Sequence, residues 1–338
     1  MKMVQIGTVG HYAYALPTAK KYGMDFAGIC TACPEDSLDH AKKEIERYGF
    51  SPKIYEDWRE MLVDARPDVA VVNTVMAKNS EIAAFALEEG ISVFCEKPVA
   101  TDREALLYLE NVYEKAKSRY ADTRNVCFCG MFGIDYLPHF ETAYRFIKAG
   151  KLGDIRLANA QKSYKMGRRE AFYSDRTLYG GTIPWVAIHA IEWTQRIGGL
   201  SPVSVTAYGS TVCNAGNGSM EASTLCLFEC EGGRMASVSA DVMRPGTAPT
   251  HDDDRLRLVG SEGILEIRGG HVYVIDRYGD RELPLEHTDK ELFEEFILEI
   301  NGDGRCRVTD RDAFFATRTA LAARESQDTG KTVCIDEG

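Results

Sequence analysis

The chain has no uninterrupted apolar run long enough to cross a bilayer, which excludes a helical membrane protein. It is also short of positive charge. Forty Lys and Arg stand against 51 Asp and Glu, a net charge of -11, and such a field disfavours nucleic acid and anionic lipid as partners. Internal repeats and low-complexity linkers are absent. No charged and apolar leader precedes the strand pattern that starts within residues 1–7, so the expected location is cytoplasmic. The ten cysteines lack paired spacing: Cys30 and Cys33 stand three apart, but no second pair or His cluster follows at zinc-finger distance. Cys95, Cys127, Cys129, Cys226 and Cys230 fall inside strand patterns, where reduced thiols pack as small apolar groups. Neither a disulfide framework nor a metal site is expected. What remains, at 338 residues, is length for two domains, core enough to need no staples, and a small molecule as partner.

Up to residue 125 short apolar runs alternate with amphipathic ones. Residues 2–6, 26–30, 68–73 and 91–95 are strand candidates, the third nearly continuous in Val and Ala as a strand buried on both faces would be. Helical patterns lie between: 35–48 starts after Pro34 and stops at Gly49, 58–65 stops before Pro67, and 79–89 stops at Gly90. The helix over 102–118 follows Thr101, which with Glu104 has the spacing of a capping box. Such a βαβα series builds a doubly wound parallel sheet. From residue 126 the pattern changes. Strands at 126–131 and 155–164 flank a helix over 138–148, and after a helix over 186–197 come strands at 203–212, 222–230, 235–243, 256–259, 264–267 and 272–276, broken by Gly-rich turns. Late helices at 292–300 and 311–325 and a strand at 331–335 end the chain. The expected class is α/β: an N-terminal doubly wound parallel sheet of the Rossmann type over 1–125, and a C-terminal α+β domain over 126–338 with a large, mostly antiparallel sheet.

Two stretches of the first domain carry chemistry. The first strand runs into Gly7-Thr8-Val9-Gly10-His11-Tyr12-Ala13, where a dinucleotide-binding fold puts its phosphate loop. Val9 occupies the position where G-x-G-x-x-G needs glycine for close approach to pyrophosphate. Gly10 and Ala13 then have to permit a shifted loop, with the N-terminus of the next helix offering N–H donors. At the end of the second strand, where an acid holds a ribose hydroxyl and Arg a ribose phosphate, stand Thr31 and, in the loop, Asp36. No basic residue lies there, which points to NAD rather than NADP. The alternative is a tight turn that binds nothing. The second stretch is Ile91-Ser92-Val93-Phe94-Cys95-Glu96-Lys97-Pro98, a buried strand ending in a carboxylate and an amine. Beyond the carboxyl end of a parallel strand such a pair faces a ligand crevice, and Pro98 holds Lys97 extended. Elsewhere the same pair would be two solvated charges.

Strand, glycine turn, Glu96-Lys97-Pro98 and a β-rich second half follow one another as in the Gfo/Idh/MocA oxidoreductases, the glucose-fructose oxidoreductase and inositol dehydrogenase family, which the chain resembles over essentially its whole length. Val71-Val72-Asn73-Thr74 resembles the family's fourth-strand segment, and 148–155 and 259–266 resemble its helix-to-strand entry and late hairpin. The resemblance implies an NAD(P)-dependent dehydrogenase or reductase acting on a sugar, cyclitol or related polyol, with a homodimer or homotetramer built on the second domain's open sheet. The residues expected at the cofactor are Gly7, Thr8, Gly10, His11, Tyr12, Thr31, Thr74, Glu96 and Lys97.

The family's second signature is a Gly-Gly turn followed by Asp and His four residues apart. Here Gly180 and Gly181 lead to His189, but Trp185 stands where Asp is expected. Positions four apart share a helix face, so Trp185 is expected one turn above His189, at the nicotinamide pocket. An indole cannot cycle a proton as a carboxylate does, yet it offers a flat apolar face to the C–H side of a sugar. Lys97 and His189 are therefore the catalytic candidates. Lys97 would transfer the proton or polarise the carbonyl, its pKa lowered by desolvation from about 10.4 toward 7 or 8. His189 would be its partner, oriented by Glu192. Tyr164 and Arg176, taken from the cluster Tyr164, Lys165, Arg168, Arg169, Tyr173 and Arg176, join Lys97, Trp185 and His189 as substrate-binding candidates. His251-Asp252-Asp253-Asp254 is expected to be an exposed loop and not a metal site. The expected reaction is reversible oxidation of a ring secondary alcohol. Two other readings stay open: transient oxidation by tightly held NAD driving elimination or glycoside cleavage, and a nucleotide- or sugar-binding protein without turnover.

Overall fold

In the computed structural model, which describes residues 1–336, six strands form one parallel sheet. They are β1 (Lys2–Ile6), β2 (Asp25–Cys30), β3 (Lys53–Ile54), β4 (Val69–Val72), β5 (Ser92–Cys95) and β6 (Phe128–Gly130), in the order β3-β2-β1-β4-β5-β6. Every residue of β4 and β5 is buried, as it must be in a parallel sheet covered on both faces. The helices between them are α1 (Leu16–Lys21), α2 (Asp39–Arg47), α3 (Trp58–Ala65), α4 (Asn79–Glu88) and α5 (Arg103–Tyr120). Local chemistry sets their ends. Asp57 caps α3 by accepting the Glu60 N–H, and Arg66 closes it in the left-handed region with φ 43°. The cap of α5 is Asp102 and not Thr101: its carboxylate takes the Ala105 N–H at 2.8 Å, and with alanine at the third helical position the expected capping box does not form. Strand order reverses between β1 and β4, and the crevice at their carboxyl ends is the place for a ligand.

The chain divides into two units, residues 1–133 with 290–314, and residues 134–289 with the chain from 315 onward. The division is not the single boundary expected at 125/126. Strand β6 pairs with β5, and the helix Leu292–Asn301 returns to the first unit, setting Phe293 and Phe296 against Phe94 with ring centroids 5.0 and 5.6 Å apart. Burying three aromatic rings together outweighs the sequence separation.

In the second unit, α6 (Pro138–Lys148), β7 (Ile155–Lys165), α7 (Arg176–Tyr179) and α8 (Ile188–Arg196) precede β8 (Pro202–Ser210), β9 (Ser223–Cys230), β10 (Arg234–Arg244), β11 (Asp252–Gly260), β12 (Gly263–Arg268), β13 (His271–Asp276) and β14 (Gly279–Glu282), with β15 (Val333–Cys334) near the C-terminus. They make a nine-stranded sheet, β14-β13-β12-β11-β7-β10-β9-β8-β15, in which only β7 and β10 run parallel. Helix α8 packs on β7, β10 and β11. On the strands the period of two is plain: Cys226 and Phe228 are buried, whereas Leu225 and Leu227 are exposed on the other face with Tyr208 and Met235. The acidic run 252–254 is not a loop. It opens β11, with Asp252 opposite Tyr164 and Asp254 opposite Lys162. Among the described residues no helix is long and apolar enough to cross a membrane, and no group of three or more His, Cys, Asp or Glu is placed to hold a metal ion.

Candidate active site

The turn after β1 is pressed against the strand ends beside it. Gly7 has φ 73°, and a Cβ there would lie 2.4 Å from the Asn73 carbonyl oxygen. Gly10 has φ 66°, and its Cβ would lie 2.5 Å from Glu96 Oε2. Both positions require glycine, for conformation and for space. Val9 stands where a glycine was expected, and its N–H donates to the Asn73 carbonyl at 2.7 Å. Glu96 lies wholly buried under this turn and accepts from the His11 backbone N–H at 2.7 Å, with the His11 ring Nδ1 at 2.9 Å. It also takes the Lys97 N–H at 3.1 Å, and Lys97 Nζ stands 3.8 Å away. Burial pushes the Glu96 carboxyl up, but the charges of His11 and Lys97 and these N–H groups outweigh it and leave it below the ordinary glutamate range. Glu96 thus shapes the turn from beneath.

Helix α2 holds the turn from the side. His40 Nε2 donates to the Thr8 carbonyl at 2.8 Å, and the Tyr12 hydroxyl donates to Glu44 at 2.7 Å. Burial and that carboxylate push the Tyr12 phenol up to about 12. Past the turn the chain makes a 3-10 turn, Tyr12–Ala15, that runs into the six residues of α1, so the helix expected to offer N–H donors is short and opens as a 3-10 turn. At the end of β2, Thr31 is half-buried and Asp36 faces inward. Asp36 accepts from the Ala32 N–H at 2.9 Å, the Thr74 hydroxyl at 2.6 Å and the Val75 N–H at 3.2 Å. Its carboxylate ties the β2 loop to Thr74 at the crevice, and burial raises its pKa against those bonds. Asn79, at the start of α4, was not among the expected site residues. Its amide donates to the Glu96 and Pro98 carbonyls, both at 3.0 Å, and so fixes the backbone on either side of Lys97. Lys97 itself is 2% exposed.

In the second unit the Gly-Gly turn is clamped by Glu221, a residue the sequence does not single out. Gly180 and Gly181 have φ 89° and 99°. The Glu221 carboxylate takes the Thr182 N–H at 3.0 Å and its carbonyl takes the Thr182 hydroxyl at 2.8 Å. Arg176, expected to bind substrate, is committed to Glu221 and Asp328, each at 2.9 Å. The turn leads into a π-helical stretch, Ile183–Ala187, and not directly into an α-helix. Such wide turns often re-aim side chains at functional sites. Trp185 is 5% exposed and lies among Tyr173, Tyr179 and Tyr164, with centroids 4.5, 5.8 and 6.1 Å away, while the Arg169 guanidinium sits 4.9 Å from its centre. The open indole face expected for a sugar is taken up by this cluster. Tyr164 stacks on His251 at 5.2 Å. His189 is fully buried and its ring lies 6.5 Å from that of Trp193, tilted by 27°. Glu192, expected to orient His189, accepts from Arg196 at 3.0 Å.

Known proteins resemble the chain over both units. Residues 2–121 match the model of an oxidoreductase family with an NAD-binding Rossmann fold, and residues 140–266 match the GFO/IDH/MocA C-terminal domain. A solved structure from Thermotoga maritima, described as an oxidoreductase, is 44% identical, covers 99% of this chain and 100% of its own, and superposes with a TM-score of 0.94. The scyllo-inositol 2-dehydrogenase (NAD(+)) of Bacillus subtilis is 24% identical over 344 residues, 98% of this chain and 94% of that protein. Levoglucosan dehydrogenase in complex with NADH and L-sorbose shares the fold at 18% identity, with a TM-score of 0.81 over 100% of this chain and 99% of its own. The order β3-β2-β1-β4-β5-β6, the glycine turn seated on Glu96, and two family models that between them cover both halves place this chain in the Gfo/Idh/MocA family of oxidoreductases, with an NAD-binding Rossmann domain.

Proposed function

We propose that the chain is an NAD-dependent dehydrogenase that reversibly oxidises a secondary alcohol on the ring of a cyclitol, sugar or related polyol. The observation that carries this reading is the junction of turn and amine: Gly10 leaves no room between the phosphate loop and Glu96, and the next residue is Lys97, with its Nζ 3.8 Å from that carboxylate. The residues fit the cofactor. Gly7 and Gly10 are cradle positions that a Cβ would fill, and the buried acid Asp36, with no basic residue beside it, suits an unphosphorylated ribose. NAD, when bound, accepts the hydride. Lys97, as the neutral amine, takes the proton of the reacting hydroxyl; in the reverse direction the ammonium returns it to the carbonyl oxygen. From the second unit His189 is the proton-handling candidate and Tyr164 a substrate contact, whereas Arg176 serves the Gly-Gly turn through Glu221. The activities for which the Bacillus subtilis enzyme and levoglucosan dehydrogenase are named support the substrate class. We place the enzyme in the cytoplasm.

The reading is tested by titrating purified protein with NADH and NADPH and then screening scyllo-inositol, myo-inositol, levoglucosan and common aldoses for formation of reduced nicotinamide. NADH is expected to bind more tightly, and at least one of these polyols to be oxidised. Tight NADH binding with no polyol turned over would favour a binding protein. The open sheet face, with a groove of about 680 Å³ lined by Tyr208, Leu225 and Leu227, supports a homodimer or homotetramer, since a monomer would leave these residues in water. Light scattering should give a mass of two or four chains, and a single-chain mass would overturn that assembly.

A further inference from the structure

Glu96 faces two basic side chains of its own unit, His11 and Lys97, and it holds them unequally. Its Oε2 belongs to the glycine turn: it takes the His11 backbone N–H at 2.7 Å and has the His11 ring Nδ1 at 2.9 Å, with the Asn73 amide nitrogen at 3.4 Å. Its Oε1 is shared. That oxygen takes the Lys97 backbone N–H at 3.1 Å, has the same Nδ1 at 3.0 Å, and stands 3.8 Å from Lys97 Nζ. The imidazole therefore bears on both carboxylate oxygens, whereas the amine lies beyond hydrogen-bond length from the carboxylate.

Charges act strongly on one another here because water is kept out. The side chains of Glu96 and Lys97 are 1% and 3% exposed, and that of His11 is 21% exposed. An ionised carboxylate with no other partner, this close to an amine, would hold it as the ammonium, and an ammonium cannot take the proton of a hydroxyl. With Nδ1 carrying the hydrogen, as a carboxylate partner requires, His11 takes up part of that negative charge, in the neutral ring and in the imidazolium alike. Glu96 itself registers the effect. Burial pushes its carboxyl up, and what brings it below the ordinary range is first the His11 charge and hydrogen bond and only then the Lys97 charge. The other groups around the pair are the Asn73 and Asn79 amides after β4 and at the start of α4, Met131 after β6, and the Tyr14 ring, 4.6 Å from that of His11. On β5 the Cys95 thiol is raised well above its ordinary range by burial. None of these brings a second cation to Glu96.

We infer that His11 is a positioning residue for the proton transfer: by occupying Glu96 it leaves Lys97 available as the neutral amine that oxidation of the alcohol needs. The inference deepens the dehydrogenase reading and rests on Lys97 as its proton acceptor. His11 acts through Glu96 and exchanges no proton with the substrate.

The test is the pH profile of kcat, at saturating NAD, for the polyol best oxidised in the screen. Oxidation needs the neutral amine, so kcat rises with pH through an acid limb. His11→Phe keeps a ring beside Tyr14 and removes the donor, so Glu96 acts on the amine alone. The limb is expected to move up by about one pH unit or more, and kcat near neutral pH to fall about tenfold. His11→Asn puts an amide nitrogen where Nδ1 stands, and its limb is expected to stay within about 0.3 units of the wild-type one. His11→Leu replaces the phenylalanine substitution if that variant does not fold. A limb that stays in place when the donor is removed, or that moves as far with His11→Asn, shows that His11 only shapes the turn. Either result overturns the inference and leaves the dehydrogenase reading standing, as does a wild-type profile with no acid limb. An enzyme that oxidises no polyol ends both.

Discussion

Replacing Lys97 with Met is expected to lower kcat for polyol oxidation by about 10²- to 10⁴-fold and to leave NADH affinity within about twofold of wild type. The separation follows from how the residue is held. Asn79 ties the carbonyls of Glu96 and Pro98, and Glu96 takes the Lys97 N–H, so the backbone course does not depend on the amine. Lys97 is 2% exposed, and methionine fills nearly the same buried volume without a charge. What the substitution removes is the proposed proton acceptor. Single-turnover and steady-state rates, with NADH titration alongside, check it. Turnover within tenfold of wild type would mean that another group carries the proton.

The second large effect is expected at Gly7. An alanine there adopts φ 73°, with its Cβ 2.4 Å from the Asn73 carbonyl oxygen and 2.8 Å from Thr74 Cα. Neither neighbour can move cheaply, because Asn73 is tied to β1 through its N–H to the Ile6 carbonyl at 2.8 Å. The left-handed conformation and the forced overlap together should cost about 3 kcal/mol and lower Tm by about 6–12 °C. NADH affinity should fall at least about tenfold, since the cradle must shift to relieve the overlap. Gly49→Ala is the control. Its φ is 85°, but nothing lies within 4 Å of the added methyl. That variant should lose about 1 kcal/mol and no affinity. Equal melting and equal NADH affinity in the two variants would show that the turn is not packed as described.

Both predictions draw on features of unequal visibility in the sequence. Strands β4 and β5 are legible because their runs are wholly apolar, and α3 is legible to the residue because Asp57 opens it and Pro67 lies just beyond. The site motifs are legible as residues, but their partners are not. Asp36 and Thr74 lie 38 residues apart, Lys162 and Asp254 lie 92 apart, and only strand order and register bring them together. The acidic run 252–254 misleads for a physical reason: three consecutive acids are poor strand formers by propensity, and tertiary neutralisation overrides this, with Lys162 on one face and Arg244 and Arg255 on the other. The return of Leu292–Asn301 to the first sheet is hidden as well, because an amphipathic pattern states that a face is buried without saying against what. At Trp185 the spacing to His189 is visible, but the π-helical stretch and the three tyrosines around the indole are not.

One carboxylate, Glu96, receives both the histidine of the glycine turn and the backbone of the lysine that follows. The glycine turn and the segment of Lys97 therefore share a common anchor, and an apolar residue in place of His11 would keep the backbone N–H on that acid but take away the imidazole 2.9 Å from it.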